Sequence, residues 1–200
     1  RFKPLGAPGE ITKTLQRETV KIKAVSYYGM IDNHIGYINL QRETKNSSEE
    51  VKQALIDLKT KHQIRGLIFD LRNNEGGYVS EAIKIINLFL KKGDTVLLQR
   101  SPRNNINIVT VASDSSVDRN IPMVVLTNEN TISAGEIISG ALQDHDRAII
   151  MGTKTYGKGL VQQVYDLPYK TLLKLTEAYY YTPSGRCIES SSYAGTVTSN

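Results

Sequence analysis

The chain of 200 residues has no tryptophan and one cysteine, Cys187. A single thiol cannot build an internal disulfide framework. The three histidines, His34, His62 and His145, lie too far apart for a helical or finger-type metal motif, so no structural metal is expected. No apolar run approaches the ~18 uncharged residues that a membrane-crossing helix needs, and the longest, such as Ile121–Thr127, are strand-sized. The chain opens at Arg1 with no basic, apolar, small-residue leader, which decides nothing about export. The net charge of +5 is spread thinly: Lys and Arg occur along the whole chain and alternate with Asp and Glu in Glu43–Lys61. That is the pattern of a solvated surface. Without Trp, and without a basic run interleaved with aromatics, no nucleic-acid partner is expected.

What is present, 40% apolar and 22% charged residues, fits one globular domain. Residues 1–24 mix Pro and Gly with alternating polar and β-branched residues, as a loop followed by one extended strand would. IGYINL (35–40) reads as a strand, and Ser47-Ser48-Glu49-Glu50 offers N-caps to a helix carrying Val51, Ala54, Leu55 and Leu58 on one face. GLIFDL (66–71) reads as a strand covered on both faces, NNEGG as a turn, and Val79–Leu90 as a second amphipathic helix. A strand follows at Thr95–Gln99, then a polar hairpin or long loop over Ser101–Asn120. PMVVLT (122–127) is another buried strand, running through Thr131-Ile132-Ser133 into a helix to about Gln143. Ala148–Met151, Leu160–Tyr165 and Thr171–Tyr181 read as strands, and residues 189–200 as a flexible polar tail. Strands alternating with helices predict an α/β fold, a mixed β-sheet with helices packed against it.

Ser133 closes a strand and opens a helix, so its hydroxyl stands at a sheet end beside unpaired backbone N–H groups that can stabilise an oxyanion. Alone, Ser133-Ala134-Gly135-Glu136 is more simply an S-x-x-E capping box. A second signal lies in Gly152-Thr153-Lys154-Thr155-Tyr156-Gly157-Lys158-Gly159, which nearly matches a phosphate-binding P-loop. Gly159 replaces the hydroxyl residue that would hold Mg²⁺, and the strand-like LVQQV follows where a helix should, so nucleotide binding is not expected. A lysine between two glycines can instead approach neighbouring backbone, lose part of its hydration and act as a neutral base toward serine. Gln162, four residues on, projects from the same face of an extended segment and could orient the amine; a bulge near Gly157 or Gly159 would put Gln163 there instead. Of Gly76 and Gly77, one suffices for the turn; the other could bring a backbone N–H to a substrate carbonyl, beside that of Ala134. A Ser-His-Asp set with Asp144-His145-Asp146 is disfavoured because a helix of ~15 Å would separate His145 from Ser133.

The segments GLIFDLRNNEGGYVSEAIKI, LTNENTISAGEI and IIMGTKTYGKGLVQ, in that order, resemble the core motifs of the carboxyl-terminal processing (tail-specific) serine peptidases. The similarity extends from about Thr12 to YYYTPSGRCI and includes the 25-residue step from Ser133 to Lys158. It implies a ClpP/crotonase-like core and cleavage of protein substrates near their C-termini. It also implies an extracytoplasmic location, periplasmic or in the cell envelope of a bacterium, and no metal or organic cofactor. Ser133 would be nucleophile, Lys158 general base, Gln162 the base-orienting amide, and the backbones of Gly77 (or Gly76) and Ala134 the oxyanion donors. It implies a PDZ domain before the core, with residues 1–24 as its remnant and connecting strand and 25–188 as the peptidase core. Ile132 and Gly135 depart from the family's usual Ala and Ser. The rival reading is a non-catalytic, peptide- or lipid-binding relative of the same fold, and the oligomeric state, a homo-oligomer included, stays open.

Overall fold

A computed structural model describes the chain except residues 2, 4, 7, 15, 18–22, 102–104, 114 and 191–200. Its elements run β1 (Val25–Met30), β2 (Ile35–Leu40), α1 (Ser47–His62), β3 (Gly66–Asp70), α2 (Val79–Asn87), β4 (Thr95–Ser101), β5 (Ile106–Val111), β6 (Met123–Thr127), α3 (Ala134–Asp144), β7 (Ile149–Gly152), β8 (Leu160–Leu167) and β9 (Thr171–Tyr181). Five strands form a mixed sheet ordered β1-β2-β3-β6-β7, in which β2, β3, β6 and β7 are parallel and only β1 is antiparallel to its neighbour. The mixed sheet with helices packed against it is thus present, and β5-β4-β9-β8 adds a second, antiparallel sheet.

Helical spacing places the apolar faces. Val51, Ala54, Leu55 and Leu58 of α1 are buried against β1 and β2, and Ala82, Ile85 and Ile86 of α2 face the core between α1 and α3. Phe69 of β3 and Phe89, just past α2, meet with ring centroids 6.3 Å apart and are essentially unexposed. Burying a side chain of that size contributes about 1.5–3 kcal/mol, and truncating either to alanine would cost about 3–5 kcal/mol with the cavity included. No helix among the described residues is long and apolar enough to cross a membrane.

Three local expectations change. The serines before α1 lie inside it, with Asn46 at the N-cap. Ser48 binds the buried Glu81 through both its N–H and its hydroxyl, 2.9 and 2.7 Å, so α2 satisfies it. The second helix ends at Asn87 rather than Leu90, because Leu88–Leu90 turn to insert Phe89 into the core. Strand β1, absent from the sequence reading, sits where the expected connection to β2 was, whereas the strand expected within residues 1–24 falls largely on 18–22, outside the described residues.

Because β2, β3, β6 and β7 run parallel, the loops leaving their C-terminal ends gather at one edge of the sheet: residues 41–46, 71–78, 128–133 and 153–159. In open α/β sheets this edge is where ligands bind.

Candidate active site

Ser133 ends the β6 loop and N-caps α3 with φ 55° and ψ −109°, a conformation that residues other than glycine rarely adopt. Strain of this kind costs on the order of 1–3 kcal/mol and persists where surrounding bonds over-determine the turn. Here Ile132 N–H donates to Asn74 O (2.9 Å), Thr131 Oγ1 donates to Leu71 O (2.7 Å), and Ser133 N–H donates to Glu136 Oε2 (2.8 Å). The Glu136 half of the capping box is therefore made.

Glu136 does more than cap. It is 4% exposed, and its two oxygens also accept the N–H groups of Gly157 (2.6 Å) and Lys158 (2.8 Å). One carboxylate thus joins the turn that carries Ser133 to the loop that carries Lys158. Charge-assisted bonds of this type are about twice as strong as neutral ones. The sequence reading gave Glu136 only a capping role; its second role depends on a loop folding back from more than twenty positions away.

The glycines around Lys158 have a different cause from the one expected. A Cβ at Gly157, whose φ is 91°, would strike Ser190, and one at Gly159 would strike Ile188 and Glu189. Residues 188–190 strap the loop: Ser190 N–H donates to Gly157 O (3.0 Å) and Gly159 N–H to Glu189 Oε2 (2.8 Å). The first two residues of the expected flexible tail are therefore tied down, and 191–200 lie outside the described residues. The Lys158 side chain is exposed, and among the described residues its amine bonds neither Ser133 Oγ nor Gln162. Gln162 instead donates to Thr176 Oγ1 at 3.4 Å. The structure brings the Ser133 and Lys158 backbones onto one carboxylate, and among the described residues no hydrogen bond joins their side chains.

Gly76 and Gly77 differ in what they offer. The Gly76 N–H is occupied by Asn74 Oδ1 at 2.8 Å, and with φ 77° its missing Cβ leaves room for Ile132 O at 2.9 Å and Ser133 Cβ at 3.0 Å. The Gly77 N–H, at an exposed position, takes no acceptor among the described residues, and neither does that of Ala134 at the first turn of α3. Gly135 lets the helix approach Asn74, whose Oδ1 lies 2.9 Å from where a Cβ would stand. His145 sits at the far end of the 11-residue α3, with Nε2 2.6 Å from Thr95 O. The glycine-rich loop leads into strand β8, not into a helix. No group of three or more His, Cys, Asp or Glu among the described residues is placed to hold a metal ion.

Two carboxyls flank the loops. Burial works to raise the Asp70 carboxyl, but hydrogen bonds from Arg72 and from Tyr37 (2.6 Å) outweigh it and hold the group below the usual range. Burial pushes Glu43 up to about 7, offset only in part by hydrogen bonding, chiefly from Asn74.

A parallel sheet edge that gathers a strained serine, a glycine-flanked lysine and two N–H groups without acceptors among the described residues defines a candidate hydrolase site. The chain belongs to peptidase family S41, whose profile matches residues 34–198. It is 38% identical over 176 residues to a carboxy-terminal-processing protease of Bartonella bacilliformis, covering 86% of this chain and 40% of that protein. It is 35% identical over 194 residues to a chloroplastic C-terminal processing peptidase of Tetradesmus obliquus, covering 90% of this chain and 41% of the relative. Its fold superposes on a photosystem II D1 C-terminal processing protease with a TM-score of 0.78 at 32% identity, over 86% of this chain and 47% of that one. The chain thus spans about 40% of the length of these curated relatives.

Proposed function

We propose that this chain is the catalytic core of a serine endopeptidase that cleaves protein substrates near their C-termini with a Ser-Lys dyad. Ser133 Oγ attacks the scissile carbonyl carbon and gives its proton to the Lys158 amine. The N–H groups of Gly77 and Ala134 hold the resulting oxyanion. As the C–N bond breaks, Lys158 returns the proton to the leaving amine, and water then hydrolyses the acyl-enzyme by the same route in reverse. Gln162 orients the amine once substrate draws Lys158 inward. No metal or organic cofactor takes part.

The observation that carries this reading is the three-way bond of Glu136, which fixes the Ser133 turn and the Lys158 loop to one point. A non-catalytic peptide-binding relative would need neither the strained serine nor two N–H groups that, among the described residues, take no acceptor on the same sheet edge. Within the longer protein, a PDZ domain before the core would deliver the substrate's C-terminal region, in an extracytoplasmic compartment of a bacterium.

In an active form of the protein, Ser133→Ala should abolish turnover and Lys158→Ala should nearly do so. Lys158→Arg should not rescue, because a guanidinium stays protonated. Gln162→Ala should cost less, since it orients the base without moving a proton. Retained activity in Lys158→Ala, with loss in His145→Ala, would replace the lysine by a histidine base.

A further inference from the structure

Behind the Gly76–Gly77 turn lies a buried carboxyl that this reaction scheme does not use. Glu43, just past β2, is 1% exposed. Among the described residues its Oε1 accepts one side-chain bond, from Asn74 Nδ2 at 3.0 Å, and its Oε2 has no partner.

Asn74 is itself fully engaged. The other Nδ2 proton goes to Leu40 O (2.9 Å), Oδ1 accepts the Gly76 N–H (2.8 Å), and its backbone oxygen accepts the Ile132 N–H of the Ser133 turn (2.9 Å). Glu43 also grips the same turn through its main chain: its N–H donates to Gly76 O (3.1 Å), and its O accepts the Tyr78 N–H (2.8 Å). A Cβ at Gly77 would collide with that Glu43 oxygen. The residue therefore holds the turn directly by its backbone and indirectly by its side chain.

The charged groups on the surrounding elements are committed elsewhere. Arg42 pairs with Glu75, Glu50 accepts the N–H groups of Ala24 and Val25, and Glu81 binds Ser48 and Lys84. Asp70 binds Arg72, and Glu136 binds the three N–H groups described above. No cation pairs with Glu43 among the described residues. A carboxylate there would be desolvated without a counter-ion, so the neutral acid is the stable form until its proton leaves at about pH 7.

We propose that Glu43 is a positioning residue for oxyanion stabilisation: through Asn74 and its own backbone it holds the Gly77 N–H in place, and its carboxyl carries a proton while it does so. The inference rests on reading Gly77 as an oxyanion donor. An ionised Glu43 would put negative charge behind the turn and oppose the charge growing on the attacked carbonyl oxygen, whereas the neutral acid leaves the donors unopposed.

Two readouts on wild type and Glu43→Gln test this: amide NMR shifts of Gly76 and Gly77, and the rate of Ser133 modification by a fluorophosphonate, each followed from pH 6 to pH 8. In wild type the two amides should titrate together with a midpoint near 7, and in Glu43→Gln that titration should vanish. The variant-to-wild-type rate ratio, set to one at pH 6, should climb to about ten at pH 8 where the ionised form is inert, as a single ionisation near 7 requires. Amides that do not move in wild type, or a rate ratio that stays flat, would overturn the proposal. Wild type unmodified at Ser133 at every pH would instead sink the peptidase reading, and the amide titration would still decide whether Glu43 governs the turn.

Discussion

Replacing Glu43 by glutamine should stabilise the protein by an amount that grows with pH. In the folded chain the carboxyl keeps its proton to about pH 7, while in the unfolded chain it loses it near 4.5. Between these values the unfolded chain binds fewer protons, so wild-type stability falls as pH rises through the window, and the loss is complete above the folded value. The interval from 4.5 to about 7 corresponds to roughly 3 kcal/mol at about 1.36 kcal/mol per pH unit. Glutamine keeps an acceptor for Asn74 and carries no charge at any pH, so it escapes this loss. Urea unfolding of both proteins at pH 4.5 and pH 8 should show the difference in their stabilities widening by about that amount, or by roughly 6–12 °C in Tm for a domain of this size. A difference that is the same at both pH values would refute the reasoning, because it would mean that Glu43 titrates alike in the folded and unfolded chains.

Other perturbations target the same loops. Glu136→Gln leaves one accepting oxygen for three N–H groups, so it should cost about 1–3 kcal/mol in urea unfolding and speed hydrogen exchange at Gly157 and Lys158 relative to β3. Gly76→Ala forces a Cβ to within 2.9 Å of Ile132 O at φ 77°, and should cost on the order of 1–3 kcal/mol by the same assay while slowing fluorophosphonate modification of Ser133.

Much of the fold is legible where local pattern and tertiary placement agree. IGYINL and Thr171–Tyr181 are strands with the boundaries expected, and the buried run before Ser133 leads through a turn into a helix as its composition implies. VSYYGM was missed because β1 is an edge strand with Ser26, Tyr27 and Tyr28 all exposed, so no alternation marks it. The second sheet depends on β4 pairing with β9 across some eighty residues, a contact that no local signal carries. At the site, the strand-to-helix serine and the glycine-flanked lysine stand out as residue types in a pattern, but the glycines there accommodate a strap, and the strain at Ser133 is a property of backbone angles alone. Glu43 sits in the polar run QRETKN and reads as surface; only the close approach of Gly77 reveals it as buried.

The most direct test of the central claim is site-mapped fluorophosphonate modification of wild type and of folded Lys158→Ala across neutral to alkaline pH. Ser133 should be the residue modified in wild type, and Lys158→Ala should be modified far more slowly at every pH tested. Modification at a different serine, or equal rates in the two proteins, would contradict the claim.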